Sequence, residues 1–363
     1  MHVTVLCSGL PGLGPQAVVD CAVAAWLAAR PQDVVVGLAT SEGIDVAHVG
    51  TGLGDVVCFH HLHARAVNLG QSTPRRWWRW DDNALIDLAD SCSWTGEYRG
   101  STAFLGEDLR DLVRSGVKRV HLHLPQLMSP TDLGLGMLGE LAGVQLGDEP
   151  RELVQVLADA RAALAGLSMV VTYAADLPLL GINGMARLWA ERGFDGLEAQ
   201  DFERRIVGWV RELDYAAQRS SRRSLLSGNT EPRAGFAGPG GGLGLTFALL
   251  GASMAQIGDA LVGRYLGPTD LIVYVSDSIG VDLPSGVHAA ARFGEKAGIP
   301  VVLLTDSAGI RKGELARLGL HGSYELRPER AFLAFDDDAD DAVESSRLSE
   351  AMGLIATTWG WDT

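Results

Sequence analysis

The sequence predicts an α/β protein of two domains built around parallel sheets. Three observations predict it. Short β-rich apolar runs alternate with helix-patterned segments near both ends of the chain. The final third repeats the strand–helix–strand rhythm of the first, so the two ends are expected to share one domain. A chain of 363 residues is also long enough to fill two separate cores.

The elements follow in order. His2–Cys7 is a first strand, and the turn-rich Ser8-Gly-Leu-Pro-Gly-Leu-Gly-Pro follows it. Gln16–Ala29 is alanine-rich and apolar at helical spacing, Pro31 closes it, and Asp33–Ala39 is a second buried strand. The run Asp55–Val67 is expected to be a strand, with His61 and His63 on one face and His60 on the other. Two histidines on one face can ligate a metal, but no third ligand is visible, so a surface strand is the expectation. Arg75-Arg-Trp-Trp-Arg-Trp mixes cations and aromatic rings as nucleic-acid stacking surfaces do. The flanking Asp81 and Asp82 favour a sheet edge or an interface patch instead.

Asn83–Asp90 is strand-like, Glu107–Ser115 helical, and Lys118–Leu124 a strand followed by the turn Ser129–Gly136, which carries Asp132. Arg151–Ala165 is an amphipathic helix. Ser168–Asp176 is a strand ending on a carboxylate, with Pro178 and Gly181 breaking the chain beyond. Phe202–Ala217 is helical, and the basic, serine-rich Ser220–Asn229 is expected to be a mobile loop. Asp270–Asp277 is a fully apolar strand that also ends on an acid. Ser285–Ala297 is a helix, Ile299–Leu304 a strand, and Lys312–Leu318 a short helix. The acidic run Asp336–Asp341 is expected to form the first turn of a last helix, Ala342–Ala356, where carboxylates suit the dipole.

Composition excludes several classes of function. A net charge of −15 argues against nucleic acid as a main partner, because phosphate contacts need a basic surface. No apolar run reaches the length of a membrane span. The N-terminus lacks the basic start of a signal peptide, so a cytoplasmic protein is expected. Cys7, Cys21, Cys58 and Cys92 show no paired spacing and are expected to be reduced core thiols.

The chemistry centres on Arg233-Ala-Gly-Phe-Ala-Gly-Pro-Gly-Gly-Gly-Leu-Gly244, six glycines placed before an apolar helical run. A helix opening near Leu243 would aim free N–H groups at a phosphate or carboxylate. No Gly-Lys-Ser/Thr follows, which excludes a Walker loop, and no strand precedes, which argues against a dinucleotide loop. The strand-end and turn acids Asp132, Asp176 and Asp277 are candidates to hold Mg²⁺ with a phosphate, or to take a proton from an attacking hydroxyl.

Two segments resemble a known family. Gly240-Gly-Gly-Leu-Gly-Leu-Thr-Phe-Ala-Leu-Leu-Gly-Ala is similar to the Gly-Gly-x-Gly helix segment of the bacterial type I glycerate kinases. Tyr173-Ala-Ala-Asp-Leu-Pro-Leu-Leu-Gly-Ile-Asn-Gly-Met-Ala resembles that family's C-D-V-x-N-P-L-x-G-x-x-G-A. Weaker similarity runs along nearly the whole chain, through Asp132–Met137 and from Asp270 to Leu326.

The resemblance implies a flavodoxin-like domain from residues 1–54 and 262–363, with a second α/β domain, 55–261, inserted and carrying the glycine loop. It implies ATP-dependent phosphorylation of a glycerate hydroxyl with Mg²⁺, a small anionic substrate being the partner. Gly240, Gly241, Gly242 and Gly244 would then cradle an anion, Asp176 and Asp277 hold Mg²⁺ or act as base, and Asp132 orient substrate. The chain also departs from the family. P-D-S-F-K is Ser8-Gly-Leu-Pro-Gly here, D-G-G-E-G-T is Thr40-Ser-Glu-Gly-Ile-Asp45, and G-G-S-A-T-N-D-G-G keeps only Asp132 and nearby glycines. T-G-E-G-R-x-D-x-Q-S is Val275-Ser-Asp-Ser-Ile-Gly-Val-Asp-Leu-Pro284. A lysine and an arginine are lost with these motifs. Two alternatives therefore stand beside the glycerate kinase: a silent relative that binds a small anion or a protein, and a kinase for another hydroxy acid.

Overall fold

The computed structural model describes residues 1–44, 46, 49–69, 75–91, 100–129, 131–146, 153–220, 232–280, 283–327 and 341–361. Cys92, residues 221–229 of the expected loop and 336–340 of the acidic run lie outside these. The chain divides into two compact units, Met1–Leu62 with Gln256–Thr363, and His63–Ala255. The sequence expectation sets these boundaries at 54/55 and 261/262, eight and six residues away.

The first unit begins with β1 (His2–Cys7), α1 (Pro15–Ala29), β2 (Val34–Ala39) and α2 (Leu53–His60). Pro15 sits at the start of α1, where its missing N–H costs nothing. The element at α2 corrects most of the strand expected over Asp55–Val67, of which only the last three residues are strand. Gly52, at φ 66°, turns the chain, and Leu53, Val56 and Val57 then bury one helical face. The valine pair has strand character, but the 3,4 spacing of the buried positions decides for helix.

The second unit is β3 (Arg65–Leu69), β4 (Arg75–Trp80), β5 (Asn83–Asp87), α3 (Leu88–Ser91), α4 (Ala103–Arg114), β6 (Arg119–Leu124), α5 (Leu135–Ala142), α6 (Leu153–Ala163), β7 (Ser168–Tyr173), α7 (Met185–Glu191), α8 (Gly196–Ser220), α9 (Leu243–Leu249) and β8 (Ser253–Gln256). Its sheet runs β3-β4-β5-β6-β7-β8. The strands β5, β6 and β7 are parallel, while β3 and β4 form an antiparallel flank. The expected edge patch at Arg75–Trp80 is instead the second strand, with Trp77 and Trp78 buried. Arg75 turns inward and pairs with the buried Asp108 of α4 through Nε at 2.7 Å and Nη2 at 2.6 Å.

The chain then returns to the first unit with α10 (Ile257–Tyr265), β9 (Leu271–Ser276), α11 (Ser285–Ala297), β10 (Val301–Thr305), β11 (Gly322–Glu325) and α12 (Asp341–Trp359). Lys312–Leu318 forms two short 3₁₀ turns rather than one helix. The sheet order is β11-β10-β9-β1-β2 and each pairing is parallel, with Val3 opposite both Val35 and Leu271. This is the flavodoxin-like order expected for a domain formed by both chain ends. Every residue of β9 and β10 is buried, as parallel strands covered on both faces require. No helix among the described residues is long and apolar enough to cross a membrane.

Candidate functional site

In the first unit, successive connections leave β1 in opposite directions, toward β2 on one side and β9 on the other. Open parallel sheets bind ligands beyond the carboxyl ends of their strands at such a reversal. A small pocket lies there, lined by Ser8 after β1, Glu42 after β2, and Ser276, Asp277 and Ser278 at the end of β9. Thr51, Ile44 and Pro284 close its remaining sides. Asp277, the acid expected at this strand end, is half-buried in the lining. Among the described lining residues there is no Lys, Arg or His.

Glu42 is the functional group that sequence reasoning passed over. Its side chain is buried, and it accepts hydrogen bonds from the Tyr274 hydroxyl and, at 3.2 Å, from the Gly286 N–H in the first turn of α11. Residue 286 must be glycine, because a Cβ there would stand 1.9 Å from Tyr274 Oη. Burial pushes the Glu42 carboxyl up to about 7, against the opposing effect of those two hydrogen bonds. A carboxyl balanced at neutral pH can give or take a proton. The signal that could have found it is the Glu42-Gly43 pair, which matches the E-G of the glycerate kinases' D-G-G-E-G-T.

Beside Asp277, the exposed Ser278 is anchored from below. Its hydroxyl donates to Asp306 Oδ2 at 3.1 Å and accepts from Ser307 Oγ at 3.0 Å. Asp306, wholly buried after β10, also receives Arg327 Nε at 2.5 Å. Cys7, at the end of β1, is fully buried, and burial drives its thiol far above the ordinary range, which makes it inert. His60 stacks on Tyr265 with ring centroids 3.7 Å apart and sets Nε2 2.8 Å from the Ala39 carbonyl oxygen. Among the described residues no group of three or more His, Cys, Asp or Glu is placed to hold a metal.

The other expected site residues lie in the second unit, which gathers them beyond the carboxyl ends of β6 and β7. Leu177 N–H, next to Asp176, donates to the Gly235 carbonyl at 2.7 Å, and Gly240 N–H donates to the Pro125 carbonyl at 2.8 Å. Asp176 is exposed and covers Gly235, where a Cβ would meet its Cγ at 2.3 Å. Asp132 accepts from the Thr102 N–H and hydroxyl and from Gly134 and Gly136 N–H, at 2.6 to 3.1 Å. Its carboxylate thus ties the start of α4 to the start of α5.

The glycine loop opens α9 at Leu243, as the sequence predicts, with Gly240, Gly241 and Gly242 all at positive φ. Its N–H groups are largely committed: Gly242 donates to Gly238, Leu243 to Gly240 and Gly244 to Pro239. Among the described residues Gly241 N–H has no such partner, and neither has the buried Thr131 hydroxyl, 3.7 Å from where a Gly241 Cβ would be.

No protein-family model matches the chain, and no curated protein does. A solved structure does: that of a Salmonella typhimurium LT2 protein provisionally named glycerate kinase 2. It superposes with a TM-score of 0.71 at 17% identity, over 99% of this chain and 98% of that one. The fold is glycerate-kinase-like. At that identity the likeness is one of fold, and it agrees with the two α/β units described above.

Proposed function

We propose that the chain is a glycerate-kinase-like phosphotransferase, moving the terminal phosphoryl group of ATP to a hydroxyl of glycerate or another small hydroxy acid. The observation that carries this is the switch-point pocket, which sets Asp277 and Glu42 where such sheets bind ligands. The match in fold to the glycerate kinase 2 structure supports it.

Asp277 acts as the base that takes the acceptor's proton, a role that requires a carboxylate within hydrogen-bond reach of the hydroxyl. Magnesium commonly uses one or two carboxylates together with phosphate oxygens and water, so Asp176 and Asp277 each fit as a single ligand. When bound, magnesium and ATP supply the phosphoryl group and neutralise its charge. At the glycine loop, the Gly241 N–H and the Thr131 hydroxyl are the groups left to meet an anion, with Gly240, Gly242 and Gly244 shaping the backbone around them. Asp132 orients substrate through the turn that it fixes rather than by direct contact.

One observation favours a second reading, a silent relative that binds a small anion or a protein. No described lining residue of the pocket is cationic, and phosphoryl transfer relies on cations. A coupled assay with ATP, Mg²⁺ and D-glycerate, extended to other hydroxy acids, separates the two. Turnover is expected, and Asp277→Asn should lower kcat by about a hundredfold or more. No turnover by the folded protein with any acceptor removes the kinase, and ligand binding without turnover then supports the silent relative.

A further inference from the structure

We propose that the switch-point pocket receives the hydroxyl end of its ligand and not a carboxylate, and that Ser278, held by Asp306 and Ser307, reads that end. The inference rests on the pocket being the ligand site of the proposed function.

A hydroxyl has one proton to give and two lone pairs to receive. Ser8 Oγ spends its proton on the Val275 carbonyl at 3.2 Å. Ser278 Oγ spends its own on Asp306 Oδ2, and Ser307 Oγ fills one of its lone pairs. What Ser278 turns to the pocket is one remaining lone pair. Asp277 adds a carboxylate, and Glu42 already accepts through both of its oxygens. These four side chains therefore present acceptors to the pocket.

The guanidinium of Arg327, which holds Asp306, also lies 3.4 Å from the Glu344 carboxylate, so its charge is answered inside the protein. A ligand carboxylate brings only lone pairs and negative charge, and would be desolvated against groups of its own kind. A ligand hydroxyl brings the donor that these four side chains lack. A hydroxy acid thus enters hydroxyl first with its carboxylate outside, and a neutral polyol without any carboxylate keeps every pocket contact.

Ser278 acts as a specificity-determining residue and Asp306 as a positioning residue, because Asp306 fixes the direction of the Ser278 proton. The serine belongs to this chain, since the family's T-G-E-G-R has glycine where Ser278 stands.

The test is calorimetry on the full chain at pH 8, with glycerol and propionate as probes, beside steady-state kinetics. Glycerol is expected to bind and propionate not to. Ser278→Ala should weaken glycerol at least tenfold and raise KM for D-glycerate with kcat nearly unchanged, and Ser278→Thr should restore both. An unchanged melting temperature in Ser278→Ala separates lost recognition from lost fold. Propionate binding in preference to glycerol, binding of neither, or an unaltered affinity in Ser278→Ala overturns the inference. Glycerol binding that depends on Ser278 in a protein that turns nothing over leaves the inference standing and removes the kinase instead.

Discussion

Glu42 gives the sharpest prediction, because its effect on stability has a definite sign. Burial raises its pKa from 4.5 to about 7 in the folded chain. Between those values the native state holds a proton that the unfolded state has released. Stability from this group is therefore complete below pH 4.5 and is lost as the pH rises through about 7. At about 1.4 kcal/mol per pH unit, the gap corresponds to roughly 3 kcal/mol. Glu42→Gln keeps the shape of the side chain and removes the titration. Urea unfolding of both proteins between pH 5 and 8 measures the difference. The Gln variant should gain most of that roughly 3 kcal/mol over the native protein across the range. Parallel pH profiles for the two proteins would refute the argument, since a Glu42 that titrates alike in both states contributes no slope.

Three further outcomes test other parts of the structure. Asp132→Ala should cost about 2–3 kcal/mol in urea unfolding, because four hydrogen bonds to the starts of α4 and α5 are lost together. Unchanged stability would return Asp132 to a role in direct substrate contact. Gly244→Ala would drive a Cβ to 1.8 Å from the Phe236 carbonyl oxygen, so a loss at or above the upper end of roughly 1–3 kcal/mol is expected in the same measurement. Arg75→Ala leaves the buried Asp108 without its bidentate partner and should destabilise by about 3–5 kcal/mol, whereas replacing both residues together should recover much of that in a double-mutant cycle.

The parallel framework was legible because its signals are local. The strands β1, β2, β9 and β10 are continuous apolar runs, and the glycine cluster marks the start of α9 within one residue. The misread element, α2, shows where local signals compete. Val56 and Val57 favour a strand, and only the burial of Leu53 on the same face reveals the helix. The candidate site was half legible. Asp277 stands out at the end of an apolar strand, but Glu42 becomes a perturbed group only through Tyr274 and Gly286, both more than two hundred residues away in the chain. Ser278 and Asp306 meet for a similar reason: their strands are neighbours in the sheet, and each residue by itself reads as an ordinary turn.

The pairing of Val3 with Leu271 has a consequence for how the chain is made. A ribosome releases β1, α1, β2 and α2 first, and these cannot complete a sheet whose middle strand is still untranslated. The unit His63–Ala255 emerges next, with all but the last residue of its own strands, and domains generally fold as units while synthesis continues. The host unit is thus the last to close, after its guest has formed. Its two exposed valines on β2, Val34 and Val36, wait through that interval on an open strand. Truncation between β8 and β9 should leave a folded interior flanked by a sticky, unfinished end.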